Sequence, residues 1–336
     1  MTVGQKIANA GLLGLAAVSG ACTPAPPAPA SQVMLLDEFP RDESVLTHGS
    51  MVEAVLASRS PLQHQRVQVP LGAQMDLIDK AEPGNLDRYI VQRFTIPTEA
   101  TARALEQMHS PGVAGQSQGA SESRVVESLW GAAQSKAGTR AFLEQELELS
   151  PGSSDADFLQ SLVRRVDEVH HGDRQIGAAR QHLLQAAQQA ESAGVIRVIS
   201  AGNQGHLEQL FDRLGVLTGR DFYMSDMADG GAIIVGASDD HGTPDRSDDG
   251  AAALASPDAG ALVGAQGVNV PVSIHGKTFL ESGSSFAQPQ ISAIVAGWKE
   301  NDPGLTRDEA LQRLVSLAQP VSGAEAYIGA GIIYSQ

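Results

Sequence analysis

Short apolar runs alternate along this chain with longer segments whose apolar residues recur at helical spacing. The run from Val33 to Leu36 is continuous, ends at Asp37 and is typical of a strand buried on both faces of a sheet. From Thr47 onwards the apolar residues instead share one face of a helix. Such alternation predicts an α/β fold whose mostly parallel central sheet carries helices on both faces.

The same patterns predict the remaining elements. Strands are predicted at residues 66–71, 88–96, 123–129, 195–199 and 230–235. Helices are predicted at residues 99–108, 142–149, 158–169, 176–192, 285–298 and 305–317. Thr98 is the predicted cap of the first of these helices, and Pro289 falls in the first turns of the helix at 285–298, where proline is tolerated. The polar, Gly-rich stretch 110–119 is typical of a loop.

The composition fits a folded core of aliphatic side chains. Of the 336 residues, 42% are apolar but only 4% are aromatic, so the core must consist mainly of Val, Ile, Leu and Ala. The 35 glycines suit many tight turns between short elements. A chain of this length accommodates one large α/β domain or two small ones.

The net charge bears on the class of partner. Lysine and arginine number 23 against 39 acidic residues, which gives a formal net charge of −16. A surface with that balance is well solvated and repels phosphate backbones. We therefore expect no nucleic-acid partner.

Residues 1–21 are typical of a signal peptide. Lys6 precedes an apolar stretch over residues 7–21, which is too short to span a bilayer comfortably. At its end, Ser19-Gly20-Ala21 is a small-residue boundary of the kind that signal peptidase cleaves. This pattern predicts an exported protein.

Cys22 is the only cysteine, so it excludes an intrachain disulfide. A cysteine that follows small residues and opens a Pro/Ala-rich tether, here residues 22–31, resembles the lipidation site of a bacterial lipoprotein. The match is imperfect because Ser19 stands where a Leu is usual. Two locations are thus predicted: the bacterial cell envelope, with membrane attachment through a lipidated Cys22, or free secretion.

Five short blocks carry candidate chemistry. They are the strand ending at Asp37, the helix start Thr47-His48-Gly49, the segment Ser128-Leu129-Trp130-Gly131, the segment Ala201-Gly202-Asn203, and Gly283-Ser284-Ser285-Phe286-Ala287-Gln288-Pro289. In this order the blocks resemble those of the subtilisin-like serine proteases, the subtilase family. The resemblance extends over residues 32–320.

That resemblance implies a subtilisin-like peptidase domain at residues 32–336 and a role for each block. Ser285 would be the nucleophile, His48 its general base and Asp37 the carboxylate that orients the imidazole. Asn203 and the backbone N–H of Ser285 would form the oxyanion hole. The substrate would bind along two segments, which comprise Ser128, Leu129, Trp130, Gly131, Ala201 and Gly202.

The function implied in this way is that of a serine endopeptidase. It would hydrolyse bonds within peptide or protein substrates through an acyl-enzyme at Ser285. No cofactor is required by this chemistry. Structural calcium is a further expectation, because many relatives hold it, but the sequence assigns it no site.

Several features depart from the family pattern. Asp37 is followed by Glu38 and Phe39 rather than by Ser/Thr-Gly, and His48 comes only eleven positions after Asp37. Trp130 occupies a glycine-like position, where an indole would narrow the substrate pocket. No propeptide of the usual size fits between the tether and the first strand. These departures leave an alternative open, a catalytically inactive protein that keeps the fold and binds peptides.

Other histidines fit this chemistry less well than His48. The string His241-Gly242-Thr243 copies the family's His-Gly-Thr more closely, but it follows Asn203 and lies in an acidic turn. His275 is the last histidine, so none follows Ser285. Because the α/β-hydrolases need a histidine after the nucleophile, this order excludes them.

Two groups of side chains raise the question of metal binding. The adjacent His170 and His171 are predicted to point apart on their helix, away from any common ion. A run of acidic residues lacks the fixed ligand spacing of a calcium loop and is more typical of a solvated turn. Its members are Asp239, Asp240, Asp245, Asp248 and Asp249.

Overall fold

The centre of the protein is a mostly parallel β-sheet. The computed structural model describes residues 32–40, 45–70 and 75–334, so the predicted signal peptide, the tether and Cys22 lie outside the described residues. The strands, in chain order, are β1 Gln32–Asp37, β2 His64–Gln68, β3 Gly112–Gln116, β4 Val195–Ser200, β5 Ile233–Asp239, β6 Gly250–Ala251, β7 Val263–Gln266, β8 Val270–Ile274, β9 Lys277–Glu281 and β10 Ile332–Ile333. Across the sheet the order is β10-β7-β5-β4-β3-β1-β2, and neighbours on this path run parallel. The short β6 pairs antiparallel with β5, and β8 with β9 forms a separate hairpin.

Helices connect the strands and cover both faces of the sheet. In chain order they are α1 His48–Arg59, α2 Asp76–Asp79, α3 Asn85–Leu105, α4 Glu122–Ser135, α5 Ala137–Glu146, α6 Asp155–Gly172, α7 Arg174–Ser192, α8 Gly205–Leu214, α9 Ser284–Asn301, α10 Arg307–Leu317 and α11 Glu325–Ile328. None of these described helices is both long enough and apolar enough to cross a bilayer. The layered arrangement confirms the predicted α/β class.

Alternate residues of the central strands β1, β3, β4 and β5 contribute to two separate hydrophobic cores. Met34 and Leu36 of β1 point to one face, where they pack with side chains from α3, α4, α6 and α7. Val33 and Leu35 point to the other face, which α1, α9 and α10 cover. By the same alternation the side chain of Asp37 lies on the second face, beside the two helices that carry His48 and Ser285.

Many elements form where the sequence predicts them. The strands predicted at 33–36 and 195–199 are β1 and β4, while those at 66–71 and 230–235 overlap β2 and β5 with shifted ends. The helix predicted from Thr47 is α1, for which the Thr47 side chain accepts a hydrogen bond from the backbone N–H of Ser50. The later predicted helices are confirmed, with shifted ends, as α5, α6, α7, α9 and α10.

The strand predicted at 88–96 is wrong, because this segment lies inside the long helix α3. Its buried residues Leu86, Ile90 and Phe94 recur every four positions and face the core. The aromatic and β-branched residues favour a strand locally, but burial of one helical face overrides that preference. Thr98 therefore lies within the helix and does not cap it.

The strand predicted at 123–129 is also wrong, because these residues belong to α4. Ser121 caps this helix by accepting a hydrogen bond from the backbone N–H of Arg124. Val125, Val126 and Leu129 are buried along one side. A short apolar run of this kind cannot be assigned to strand or helix by periodicity alone.

The predicted loop at 110–119 contains a central strand, β3, whose five residues are all buried. Its glycine serves close packing, because a Cβ at Gly115 would lie 2.8 Å from Gln288 Nε2 and 3.0 Å from Ser292 Oγ of α9. Glycine in a strand often marks such a close approach. The small side chains of β3 thus allow α9, with Ser285 at its start, to lie directly against the sheet.

Candidate active site

The candidate site lies at the carboxyl ends of β1, β3 and β4, the edge where open parallel sheets place their ligands. A cavity of about 400 Å³ opens there. Among the residues that line it are His48, Ser117, Ala201, Asn203 and Ser285. The structure therefore brings together four of the blocks that the sequence singled out, since Asp37 contacts His48 directly behind this cavity.

The Asp37 carboxylate holds the imidazole of His48. His48 Nδ1 lies 3.0 Å from Oδ1 and 3.1 Å from Oδ2 of Asp37. Asp37 is fully buried, whereas the His48 side chain is 35% exposed. Gln118 Nε2 and the backbone N–H of Glu38 also donate to Oδ1, at 2.8 and 2.7 Å. These two donors fix the carboxylate in place, and it can accept a hydrogen bond from Nδ1–H of His48.

The short connection between Asp37 and His48 is compatible with this contact. The backbone N–H of Gly49 donates to the carbonyl oxygen of Glu38 at 3.2 Å, which joins the start of α1 to the end of β1. A Cβ at Gly49 would lie 2.6 Å from that oxygen and 3.0 Å from the Phe39 ring. Glycine is therefore required after His48 for steric reasons. The unusual Glu38-Phe39 turn does not separate the two side chains.

Ser285 lies in the first turn of α9 at the cavity wall, with 6% of its surface exposed. Its Oγ donates to the carbonyl oxygen of Ser117 at 3.2 Å. The ring of the next residue, Phe286, packs against that of His48 at 6.0 Å between centroids. Ser285 Oγ is thus hydrogen-bonded to Ser117 rather than to His48, and contacts between a nucleophile and its base commonly tighten only when substrate binds.

Ser284, the neighbouring serine, has a structural role. It is fully buried, and its Oγ accepts a hydrogen bond from the backbone N–H of Gly202 at 3.0 Å. This contact joins the start of α9 to the segment after β4. Both serines line the cavity, but Ser285 keeps 6% of its surface exposed and its Oγ is not tied to the segment after β4.

Asn203 is oriented by the backbone at the start of α9. Its Oδ1 accepts from the N–H of Ser284 at 2.8 Å. A Cβ at Gly283, whose φ is +153°, would lie 3.1 Å from Asn203 Nδ2. Nδ2 itself has no hydrogen-bond partner within the described part of the chain. It is thus a free donor at the cavity, close to the N-terminus of the helix that carries Ser285.

Pro289 explains a contact that the sequence did not reveal. It is the sixth residue of α9, within the first turns as predicted, and it has no N–H to donate to the carbonyl of Ser285 four residues earlier. Ser117 replaces that donor, because its Oγ lies 3.0 Å from the Ser285 carbonyl oxygen. Its single hydroxyl proton is shared with Gln288 Oε1, which lies 2.7 Å from the same oxygen. Ser117 therefore attaches the end of β3 to the turn that carries Ser285.

We expect Ser117→Ala to lower the free energy of unfolding by about 1–3 kcal/mol, because it leaves the buried Ser285 carbonyl and Gln288 without their donor. Urea unfolding of the Ser285→Ala chain, with and without the second change, measures this without self-digestion. Ser316→Ala is the matched control, since the Ser316 hydroxyl also donates to a carbonyl but is exposed. An equal effect of the two substitutions would contradict the role of Ser117.

The structure does not bring the predicted segment Ser128-Leu129-Trp130-Gly131 to the cavity. These residues lie in α4, where Leu129 is fully buried and Trp130 packs against Phe158 at 5.9 Å between ring centroids. The indole therefore does not narrow a pocket beside Ser285. Residues 117–119, Ser-Gln-Gly, follow β3 instead, and Ser117 and Gly119 line the cavity. The sequence signal for this segment was a Ser-x-Gly string at the end of a strand. It was missed because residues 110–119 were predicted to form a loop.

The remaining sequence candidates lie elsewhere. His241 is exposed in a turn with φ +51° and does not line the cavity. The nearby acidic side chains accept hydrogen bonds from their own turns, for example Asp239 Oδ1 from the N–H of His241 at 2.8 Å and Asp245 Oδ1 from that of Ser247 at 2.9 Å. The prediction that His170 and His171 point apart is wrong, because both contact Glu122 Oε1, at 2.8 and 3.3 Å.

Comparison with known proteins gives an independent result. A sequence profile described as the subtilase family matches residues 130–331. Among solved structures, "a serine protease MycP1, an essential component of the type VII (ESX-1) secretion system" is 14% identical, with a TM-score of 0.49 over 91% of this chain and 81% of that one. A lanthipeptide protease is 15% identical, with a TM-score of 0.49 over 90% and 85%. No curated protein matches the sequence.

Proposed function

The chain belongs to the subtilase family of serine proteases, and we propose that it cleaves peptide bonds within its substrates through Ser285, His48 and Asp37. The observation that carries this assignment is the bond between His48 Nδ1 and the buried Asp37 carboxylate, at the rim of the cavity that also contains Ser285 and Asn203. The Asp37–His48 contact is formed, while Ser285 Oγ must leave the Ser117 carbonyl to reach His48.

The first half of the reaction forms the acyl-enzyme. Ser285 Oγ turns from the Ser117 carbonyl, attacks the substrate carbonyl carbon and passes its proton to His48 Nε2. Asp37 accepts a hydrogen bond from Nδ1–H of His48, which keeps the Nε2 lone pair available, and its charge stabilises the imidazolium. The oxyanion accepts hydrogen bonds from Asn203 Nδ2 and from the N–H of Ser285.

The second half returns the enzyme to its starting state. His48 gives its proton to the leaving amine, so the C–N bond breaks and the first product departs. Water then takes the position of the amine, and His48 removes its proton as it attacks the acyl carbon. Collapse of this second tetrahedral intermediate releases the acid and restores the hydroxyl of Ser285.

The substrate-binding segments are proposed to be the residues directly after β3 and β4. We assign one to residues 117–119 and the other to Ala201 and Gly202, which lie on neighbouring strand ends and line the same cavity. An extended peptide between two such backbone segments gains main-chain hydrogen bonds as an added strand. Gly119 is needed in this wall because a Cβ there would lie 2.6 Å from Ser225 Oγ.

The inactive alternative draws its support from the unusual turn after Asp37. That turn leaves the carboxylate buried and in contact with His48, and a loss of catalysis in this fold is expected to begin with loss of those residues. The active reading therefore has the stronger support. The following experiment distinguishes an active protease from a protein that binds peptides without cleaving them.

A fluorophosphonate probe tests the assignment. The probe is expected to label the native chain at one serine, and mass spectrometry of the labelled peptide is expected to identify Ser285. Ser285→Ala is expected to abolish labelling, while Ser282→Ala, an exposed serine three residues earlier, is expected to keep it. Absence of label on the native chain, or equal label on Ser285→Ala, would refute the proposal.

Export is part of the same proposal. The apolar stretch at 7–21 and the small residues before Cys22 support cleavage and transport across a membrane. Cys22 followed by the Pro/Ala tether supports attachment to the bacterial envelope as a lipoprotein, with free secretion as the alternative. Either location gives the peptidase access to extracytoplasmic peptides or proteins.

A further inference from the structure

A cluster of two histidines and two carboxylates lies outside the catalytic cavity. Glu122 is the first residue of α4, and His170 and His171 end α6. Glu122 Oε1 lies 2.8 Å from His170 Nδ1 and 3.3 Å from His171 Nε2. Asp167 Oδ1 lies 3.4 Å from the same His171 nitrogen. Of the side chains in the described ranges, Glu122, His170 and His171 form the one group of three whose ligand atoms all lie within 4.8 Å of one another.

Adjacent residues of a helix are about 100° apart around its axis, so their convergence needs an explanation. His170 presents Nδ1, the ring nitrogen nearer the backbone, and His171 presents Nε2, the farther one. The two rings lie 4.7 Å apart with their planes at 41°. The two contacting nitrogens lie at different distances from the helix backbone. Both side chains can therefore contact Glu122 Oε1.

A second layer of contacts orients His170. Its Nε2 lies 3.0 and 3.1 Å from the carboxylate oxygens of Asp226, so this nitrogen carries the proton and Nδ1 is directed towards Glu122. The Phe94 ring stacks on the imidazole at 4.0 Å and 15°, which fixes its plane. A carboxylate behind a histidine is the usual outer support of a zinc ligand, because it sets the tautomer and raises the basicity of the other nitrogen.

We propose that Glu122, His170 and His171 bind a zinc ion, with the fourth position left to solvent. Two imidazoles with a carboxylate suit Zn²⁺ in tetrahedral geometry, whereas calcium and magnesium prefer oxygen ligands alone. Glu122 and His170 are buried, with 5% and 8% of their side chains exposed, while His171 and Asp167 are about half exposed. The ion therefore has two buried ligands and an entry path from solvent.

Without metal, hydrogen bonds hold the cluster, with His170 Nδ1 2.8 Å from Glu122 Oε1 and His170 Nε2 3.0 Å from Asp226 Oδ1. Zinc would replace the proton on Nδ1, since metal ligands must be deprotonated. Binding thus exchanges a charged hydrogen bond between α4 and α6 for two metal–ligand bonds.

The position of the cluster indicates a structural effect on the substrate-binding wall. Ser121, which caps α4 next to Glu122, lines the catalytic cavity. The backbone N–H of Asp226 donates to the carbonyl oxygen of Ala120 at 2.8 Å, and Ser225 lines the same cavity. Zinc would therefore join α4 and α6 just behind residues 117–121, without taking part in the chemistry at Ser285.

Zinc binding is measured directly on the Ser285→Ala chain, which cannot digest itself if the proposed function holds and folds equally if it does not. After removal of metal with a chelator, titration calorimetry with Zn²⁺ is expected to give one ion per chain. Saturation at about 100 times the dissociation constant is expected to raise Tm by about 5 °C. With Co²⁺ as a probe, the visible absorption typical of tetrahedral coordination is expected.

Matched variants locate the ion. His171→Ala and Glu122→Gln are each expected to weaken Zn²⁺ binding at least tenfold and to abolish the Co²⁺ absorption. His206→Ala is the control, because His206 is also exposed and paired with a glutamate, Glu127, at 2.7 Å, but lies at the catalytic cavity. Absence of binding to the parent chain would overturn the proposal. Unchanged Zn²⁺ binding in His171→Ala would also overturn it, and this variant is expected to fold because the His171 side chain is half exposed. Loss of Zn²⁺ binding in His206→Ala alone would overturn it as well.

Discussion

His48→Ala, Ser285→Ala and the double variant are each expected to lose about 10⁶-fold in kcat, with no further loss in the double variant. The reason is that the two side chains act as one unit: an unactivated hydroxyl is a poor nucleophile, and an imidazole without the hydroxyl has nothing to activate. Both line one cavity, and Phe286, the neighbour of Ser285, packs on the His48 ring. Initial rates on a fluorogenic peptide at saturating concentration measure the effect.

The rate that remains in the variants shows whether Ser285 and His48 act as one unit or independently. What remains in all three variants comes from the oxyanion donors and from substrate positioning, which these changes leave in place. Ser282→Ala serves as the control for a serine change near the site, and full activity is expected there. If the losses in the two single variants multiplied in the double variant, independent roles would follow and the pairing of Ser285 with His48 would be wrong.

Asp37→Asn is expected to lower kcat by about 10⁴-fold at neutral pH while KM changes little. Asp37 accepts hydrogen bonds from His48, from Gln118 and from the N–H of Glu38, so every donor around it needs an acceptor. Asparagine keeps the shape but has only one acceptor oxygen. If its NH₂ group faces His48, the imidazole must carry its proton on Nε2, where it can no longer accept the proton of Ser285.

Glu38→Gln is the matched control for this change, because it removes one negative charge at the next residue and leaves the backbone N–H of Glu38 in place. We expect it to retain activity within a few-fold. Urea unfolding of both variants separates a loss of catalysis from a loss of fold. A loss in Asp37→Asn of less than tenfold would show that Asp37 does not orient the base.

The resemblance to a family singled out Asp37, His48, Asn203 and Ser285, and each of them stands at the junction of a strand or helix with a loop. Asp37 ends an apolar strand, His48 follows a capping threonine, and Ser285 precedes an apolar helix. These junctions are recognisable from local patterns and from glycines with a steric purpose, such as Gly49. The resemblance to a family added their roles, and the family match covers the later two.

The substrate-binding wall shows where local patterns fail. Residues 112–116 are Gly-rich and lack bulky strand formers, yet they form the strand that leads to Ser117, because α9 packs too closely for larger side chains. Residues 128–131 copy a family string but lie on a helix whose Leu129 is buried. In both places the deciding interaction is with a segment more than 100 residues away or with the core, and a short window of sequence does not contain it.

By itself, then, the sequence determined the α/β class, since helices and strands depend on contacts within a few residues of each other, and its resemblance to a family supplied candidates for the reacting groups. Only the tertiary structure decided which backbone segment faces Ser285, and that Ser117 supplies the hydrogen bond which Pro289 cannot. It also brought His170 and His171 together on Glu122, a residue 48 positions earlier than His170. Such convergence depends on how distant helices pack against one sheet, which no local pattern of apolar and polar residues encodes.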